Sequence, residues 1–136
     1  MGTRSLTVFN DRDGKEIVVL YRQYDGNPKG HGVDLCEFLS GIEIVNGIGQ
    51  TDRRLANGMG CLSAQVVAHF KTEVGAFYLY AAGTRDVCEE YIYTVENIDG
   101  KPFVTCEEVV YQGQNKVLYH DTAEKVLELI GLEANE

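Results

Sequence analysis

The sequence predicts an α+β fold, a mostly antiparallel sheet of about six strands with two to three helices packed on one face. Three observations predict it. Runs rich in β-branched and aromatic residues recur along the chain, and those joined by short turns must be antiparallel. Two segments in the first half carry apolar residues at helical spacing, and a third closes the chain. With 136 residues, 44% of them hydrophobic, the chain fits a single domain, 1–136, with a core of its own.

RSLTVFN (4–10) and KEIVVLYRQY (15–24) read as strands, and the Asp-Gly that ends DRDG (11–14) between them signals a hairpin. DGNPKGHG (25–32) is so rich in glycine and turn formers that it reads as a mobile loop carrying Lys29 and His31. VDLCEFLS (33–40) places Leu35, Cys36, Phe38 and Leu39 on one helical side, with Gly41 where a C-terminal cap belongs. A second glycine-rich segment, 46–60, leads into CLSAQVVAHFK (61–71). That run is apolar almost all round, which predicts a helix buried across the sheet and stopped near Gly75.

AFYLYAA (76–82), EEYIYTVEN (89–97), KPFVTCEEVVY (101–111) and KVLYH (116–120) follow as strands, with turns at Asp99-Gly100 and QGQN (112–115). In DTAEKVLELIG (121–131), Asp121 and Glu124 have capping-box spacing, and Ala123, Val126, Leu127 and Ile130 form a helical stripe. Both faces of the second strand are apolar at its centre: Ile17, Val19 and Tyr21 oppose Val18 and Leu20. Short helices cover only one sheet face well, so the other is expected to meet a second copy of the chain, the alternative being a curled sheet or the long loops.

Twelve basic against twenty-one acidic residues give net charge −9 and pI ≈ 4.7. That balance opposes long nucleic acid as a partner but leaves room for a small anion, which needs only an arginine or two and some backbone N–H groups. No apolar run has transmembrane length and no secretory pattern opens the chain, so no membrane partner is expected and the expected address is the cytoplasm. Cys36, Cys61, Cys88 and Cys106 lack metal-ligand spacing and read as small buried hydrophobes.

No catalytic motif is present. Cys61 and His69 are about 12 Å apart along one predicted helix, too far for a dyad. Cys36 with His31 remains open across a loop–helix junction, and His120 reads as a surface or capping residue. Glu89-Glu90 and Glu107-Glu108 point to opposite sheet faces. No catalytic residue, metal or cofactor is expected. Binding has more support. Arg22 and Tyr24 share a strand face, a fork for phosphate beside a ring for a base, or else a solvated arginine and a core tyrosine. NGMG (57–60) opens a helix behind Arg53 and Arg54, with Asn57 as anion contact or as plain cap. The tripeptide Gly-Thr-Arg occurs twice, in GTRS with Arg4 and in GTRD with Gly83, Thr84 and Arg85. Either Arg85 binds phosphate or it pairs with Asp86 in a surface turn. Phe77 and Tyr78 complete the set as stacking rings.

MGTRSLTVFNDRDGKEIVVLYRQYDGNPKGHG, ANGMGCLSAQVVAHFK and GAFYLYAAGTRDVCEEYIY resemble the phage proteins that counter Thoeris immunity, the Thoeris anti-defence protein 1 family. The resemblance runs to Asn97 and weakens beyond it. It implies a sponge: a small-molecule partner of the cyclic ADP-ribose class, made by TIR-domain enzymes, held uncleaved in the host cytoplasm so that the effector never fires. It also implies a homo-oligomer built on dimers, up to a hexamer, and cyclic oligonucleotides held at separate sites in some members.

Overall fold

A computed structural model describes residues 2–47 and 54–134. The elements run β1 (Ser5–Asn10), β2 (Glu16–Arg22), a π-helical turn (Pro28–Gly32), α1 (Val33–Leu39), β3 (Glu43–Val45) and β4 (Leu55–Asn57). Then come α2 (Gly58–Phe70), β5 (Phe77–Tyr80), β6 (Tyr91–Ile98), β7 (Lys101–Glu108), β8 (Lys116–Thr122) and α3 (Ala123–Ala134). The class is α+β, as the sequence predicts. Six strands make one sheet in the order β5-β2-β1-β6-β7-β8. Every join is antiparallel except β1–β6, which runs parallel.

Side-chain alternation sorts the strands into two cores. On one face Phe9, Leu20, Tyr93, Val95, Val104 and Cys106 meet Leu35 and Leu39 of α1, Leu62 and Val66 of α2, and Ala123, Val126 and Ile130 of α3. All three helices therefore lie on one side, and the predicted α3 stripe is the face that packs. On the other face Leu6, Val8, Val19, Tyr21 and Ile92 form a smaller buried cluster, with Val87 and Val109 against it. Val87 of the β5–β6 connection packs here, and Leu6, Val8 and Val19 are buried within the single chain.

Four local expectations need correction. Residues 25–32 are not a mobile loop: Pro28–Gly32 is a π-helical turn running straight into α1, and His31 is fully buried. The helix α2 starts at Gly58 and ends at Phe70, and it is not buried all round. Met59, Leu62, Ser63 and Val66 are buried, whereas Ala64, Ala68 and His69 face solvent. The α3 cap is Thr122, whose hydroxyl accepts from the Lys125 N–H, while Glu124 reaches away to the Gly41 N–H. The sequence reading also lacked β3 and β4, a two-stranded parallel sheet tied by the Ile44 N–H to the Gly100 carbonyl. Three-residue strands are too short to show a period. Arg53 and the stretch 48–53 lie outside the described residues.

The cysteines split as well. Cys36 and Cys106 are buried as expected, but Cys61 is half-buried and Cys88 is exposed. Burial pushes the thiols of Cys36 and Cys106 up to about 12. Native alkylation followed by mass spectrometry should label Cys88 first, then Cys61, and spare the other two, since the thiolate is the reactive form. Early labelling of Cys36 would show that α1 opens far more readily than its packing implies.

Candidate ligand-binding site

The predicted contacts fall in four separate places. The first centres on Arg22, at the end of β2. Its guanidinium is not free. Nη1 donates to Asp34 Oδ2 at 3.0 Å and approaches His31 Nδ1 at 3.1 Å, Nε donates to the Tyr24 carbonyl at 2.7 Å, and the fork lies over the Phe77 ring at 5.2 Å. An arginine only donates, so His31 Nδ1 accepts and the ring proton sits on Nε2, which donates to Thr7 Oγ1 at 2.6 Å. Burial, reinforced by the Arg22 charge, holds the imidazole down to about 3. Both ring nitrogens are engaged, so His31 has none left to take a proton from Cys36, and the pair forms no dyad. The plain reading of Arg22 and Tyr24 is inverted: the Arg22 side chain is 14% exposed, and Tyr24, past the strand end, is 56% exposed.

The second place is the GTRD corner. Arg85 pairs with Glu16 at 2.5 Å, not with Asp86. The Gly83 N–H donates to the other Glu16 oxygen, and the Thr84 hydroxyl closes the turn on the Ala81 carbonyl. Gly83 adopts φ +87, which a glycine accepts without strain. Burial pushes the Glu16 carboxyl up, but the hydrogen bonds from Arg85 and Gly83 and the Arg85 charge outweigh it and hold the group below its ordinary value. The stability from this pair is therefore complete above about pH 4.5 and is lost as the pH falls through the lowered value. Arg85→Met should return the Glu16 titration towards its ordinary position in carboxyl-carbon NMR, at a stability cost of about 0.5–1 kcal/mol for a part-exposed pair. An unmoved titration would sink this account.

Asn57 and Arg54 form the third place. Asn57 Oδ1 accepts from the Gly47 N–H and makes no helix cap, and Arg54 Nη1 reaches the Ser40 carbonyl at 3.4 Å. The fourth lies on the sheet face opposite the helices. Here Tyr21 receives Tyr78 at 6.0 Å and Tyr80 at 5.6 Å between ring centroids, both tilted or edge-on. Cross-strand register makes this cluster: Tyr21 pairs with Tyr78, and Tyr80 stands two residues on along β5. The Lys71 ammonium sits 5.5 Å over the Tyr78 ring. The Tyr21 hydroxyl donates to Gln23 Oε1 at 2.7 Å; burial pushes this group up, and the charge of Arg4 only partly draws it back. Tyr78 and Tyr80 remain 47% and 37% exposed.

Phe77 points the other way, into the helix-side core. It and Tyr78 cannot stack on one base. Of the ten predicted contacts, Arg4 and Tyr78 share the tyrosine patch, while Arg22, Tyr24 and Phe77 share the arginine–histidine knot. Gly83, Thr84 and Arg85 stay around Glu16. Tyr80 and Lys71 belong to the patch and were missed, because nothing local in the sequence says that β5 pairs with β2. No helix among the described residues is long and apolar enough to cross a membrane. No protein-family model, curated protein or solved structure matches the chain.

Proposed function

We propose that the protein is a sequestering protein for a cyclic ADP-ribose-type signal, holding it uncleaved and so keeping a Thoeris effector inactive. The tyrosine patch carries this reading. Two exposed rings with a lysine and an arginine beside them supply a stacking surface for adenine and donors for a pyrophosphate. The sequence resemblance to anti-Thoeris proteins supports the same ligand class. A homo-oligomer belongs to the proposal, because β5 is an edge strand whose Leu79, on the sheet face opposite the patch, is 57% exposed.

Incubation with the signal, filtration and heat denaturation test the reading. Intact signal recovered only after denaturation supports it, whereas a linear product counts against it. Tyr80→Ala or Arg4→Ala should weaken binding about tenfold in calorimetry, the scale of one lost stacking or charge-assisted contact. Unchanged affinity in both would move the ligand elsewhere. One observation favours an enzyme instead: Thr105 Oγ1 and His120 Nδ1 lie 2.8 Å apart on the exposed sheet surface. His120→Ala distinguishes the two, since a sponge keeps its affinity and an enzyme loses its turnover.

A further inference from the structure

We infer that a second site, the cleft between the π-helical turn, β6, β8 and the end of α3, binds a free α-amino acid with an apolar side chain. The cleft encloses about 340 Å³, within the range of about 300–1,000 Å³ usual for small-molecule pockets. It lies on the helix side of the sheet, away from the tyrosine patch, and does not depend on the function proposed above.

Much of its wall is apolar. Pro28 of the turn, Leu118 of β8 and Ile130 of α3 line it, together with the rings of Tyr91 and Tyr119. Its polar groups fall into two sets of opposite character. Asn27, Lys29 and Tyr91 form the first, and none of their side chains has a hydrogen-bond or ion-pair partner among the described residues. Burial, then the Glu108 charge, pushes the half-buried Tyr91 hydroxyl up, so it stays a donor. Directly beside Tyr91 in the β1–β6 register stands Ser5, 0% exposed, whose Oγ also lacks a partner. A buried hydroxyl of this kind is rarely left unmet in a folded protein. The turn fixes the frame of this set, since the Gly30 N–H donates to the Asn27 carbonyl at 2.9 Å. Donors thus gather here without an acceptor, and a carboxylate supplies one.

Glu133 is the second set. It follows Ile130 by three residues on α3 and so shares its face. The Tyr119 hydroxyl donates to its Oε2, which leaves Oε1 open. Burial and the Glu133 carboxylate push the Tyr119 hydroxyl up, so it too stays a donor. A phosphate would gain Lys29 but meet Glu133 and a protein of net charge −9. Bare Ca²⁺ prefers about six oxygen ligands or more, and no group of three His, Cys, Asp or Glu suited to a metal occurs among the described residues. A zwitterion satisfies both sets. Its carboxylate meets Lys29 and Tyr91, its ammonium meets Glu133 Oε1, and its side chain lies on Leu118 and Ile130.

Titration of the whole protein with L-leucine, followed by ring-proton NMR, tests the inference. Saturable shifts of Tyr91 and Tyr119 are expected. The comparison ligands are 4-methylpentanoate, which lacks the ammonium, and 3-methylbutylamine, which lacks the carboxylate. Each should bind about tenfold more weakly than leucine, the scale of one charge-assisted contact. Lys29→Gln should weaken leucine by a similar factor and leave the amine unchanged. Glu133→Gln should weaken leucine and leave 4-methylpentanoate unchanged. Lys29 and Glu133 are exposed, so both variants keep the fold. Tyr80→Ala should leave leucine binding as it is. No saturable shift at millimolar leucine, or equal leucine affinity in the parent and either charge variant, would overturn the assignment.

Discussion

Acidification from pH 6.5 to 5 is expected to lower stability by about 1 kcal/mol per pH unit through His31 alone. In the unfolded chain this imidazole takes a proton near 6.5, whereas in the fold it resists until about 3. Between those values the unfolded state binds the extra proton, so stability rises with pH. The contribution is complete above 6.5 and is lost progressively towards 3. The physical cause is the closed shell around the ring: Phe70 and Tyr93 at 5.3 and 4.9 Å, Thr7 on Nε2 and the Arg22 guanidinium on Nδ1. A second positive charge there would face Arg22 with no water to screen it. Over the whole window the loss amounts to several kcal/mol, a large share of the roughly 5–15 kcal/mol that holds a domain together. The Glu16 contribution changes only below about 4.5, so urea unfolding at pH 6.5, 5.8 and 5.0 isolates the histidine. His31→Gln should remove most of the slope. Parallel slopes in parent and variant would show that another group titrates.

Gly30→Ala is expected to cost about 3 kcal/mol, at the upper end for overpacking a rigid site. A Cβ at Gly30 would sit 2.3 Å from the Asp25 carbonyl oxygen and 3.1 Å from Asn27 Oδ1. The carbonyl has nowhere to go, because the His31 N–H holds it at 2.7 Å and Asp25 already sits at φ 59. Gly83→Ala makes the right control. Its Cβ would meet nothing within 4 Å, but its φ of +87 disfavours a side chain, a penalty of about 1–2 kcal/mol. Thermal or urea unfolding of the two variants separates lack of room from backbone preference. If Gly30→Ala proves milder than Gly83→Ala, the π-helical turn is softer than its contacts indicate.

What the sequence disclosed and what it hid divide along the distance between interacting groups. The hairpins were legible because their signals are local. Asp99 and Gly100, at φ 54 and 81, take the paired positive angles that such two-residue turns require. The α3 stripe was legible for the same reason. The glycines of 25–32 misled because glycine is used both for freedom and for room, and one sequence does not say which. Here it is room: Gly26 lies against Ser5, and Gly30 against Asp25. Arg22 and Arg85 were recognised as strong donors, but Asp34 lies 12 residues from Arg22, and Glu16 lies 69 from Arg85. No local pattern could pair them. The tyrosine patch was half visible, since ring alternation marks two strands but not which strands become neighbours.

The parallel join of β1 to β6 sets the order of events during synthesis. On the flank away from β2, Ser5 pairs with Tyr91 and Phe9 with Val95. Until β6 leaves the ribosome, the β1–β2 hairpin has one flank bare, with Leu6, Val8 and Phe9 waiting for their neighbours. Such long-range closure slows folding and prolongs exposure of an unpaired strand. A nascent chain arrested before residue 91 should therefore be a good client for a holding chaperone, a dependence that lessens once β6 is released and ends when β7, β8 and α3 complete the helix-side core.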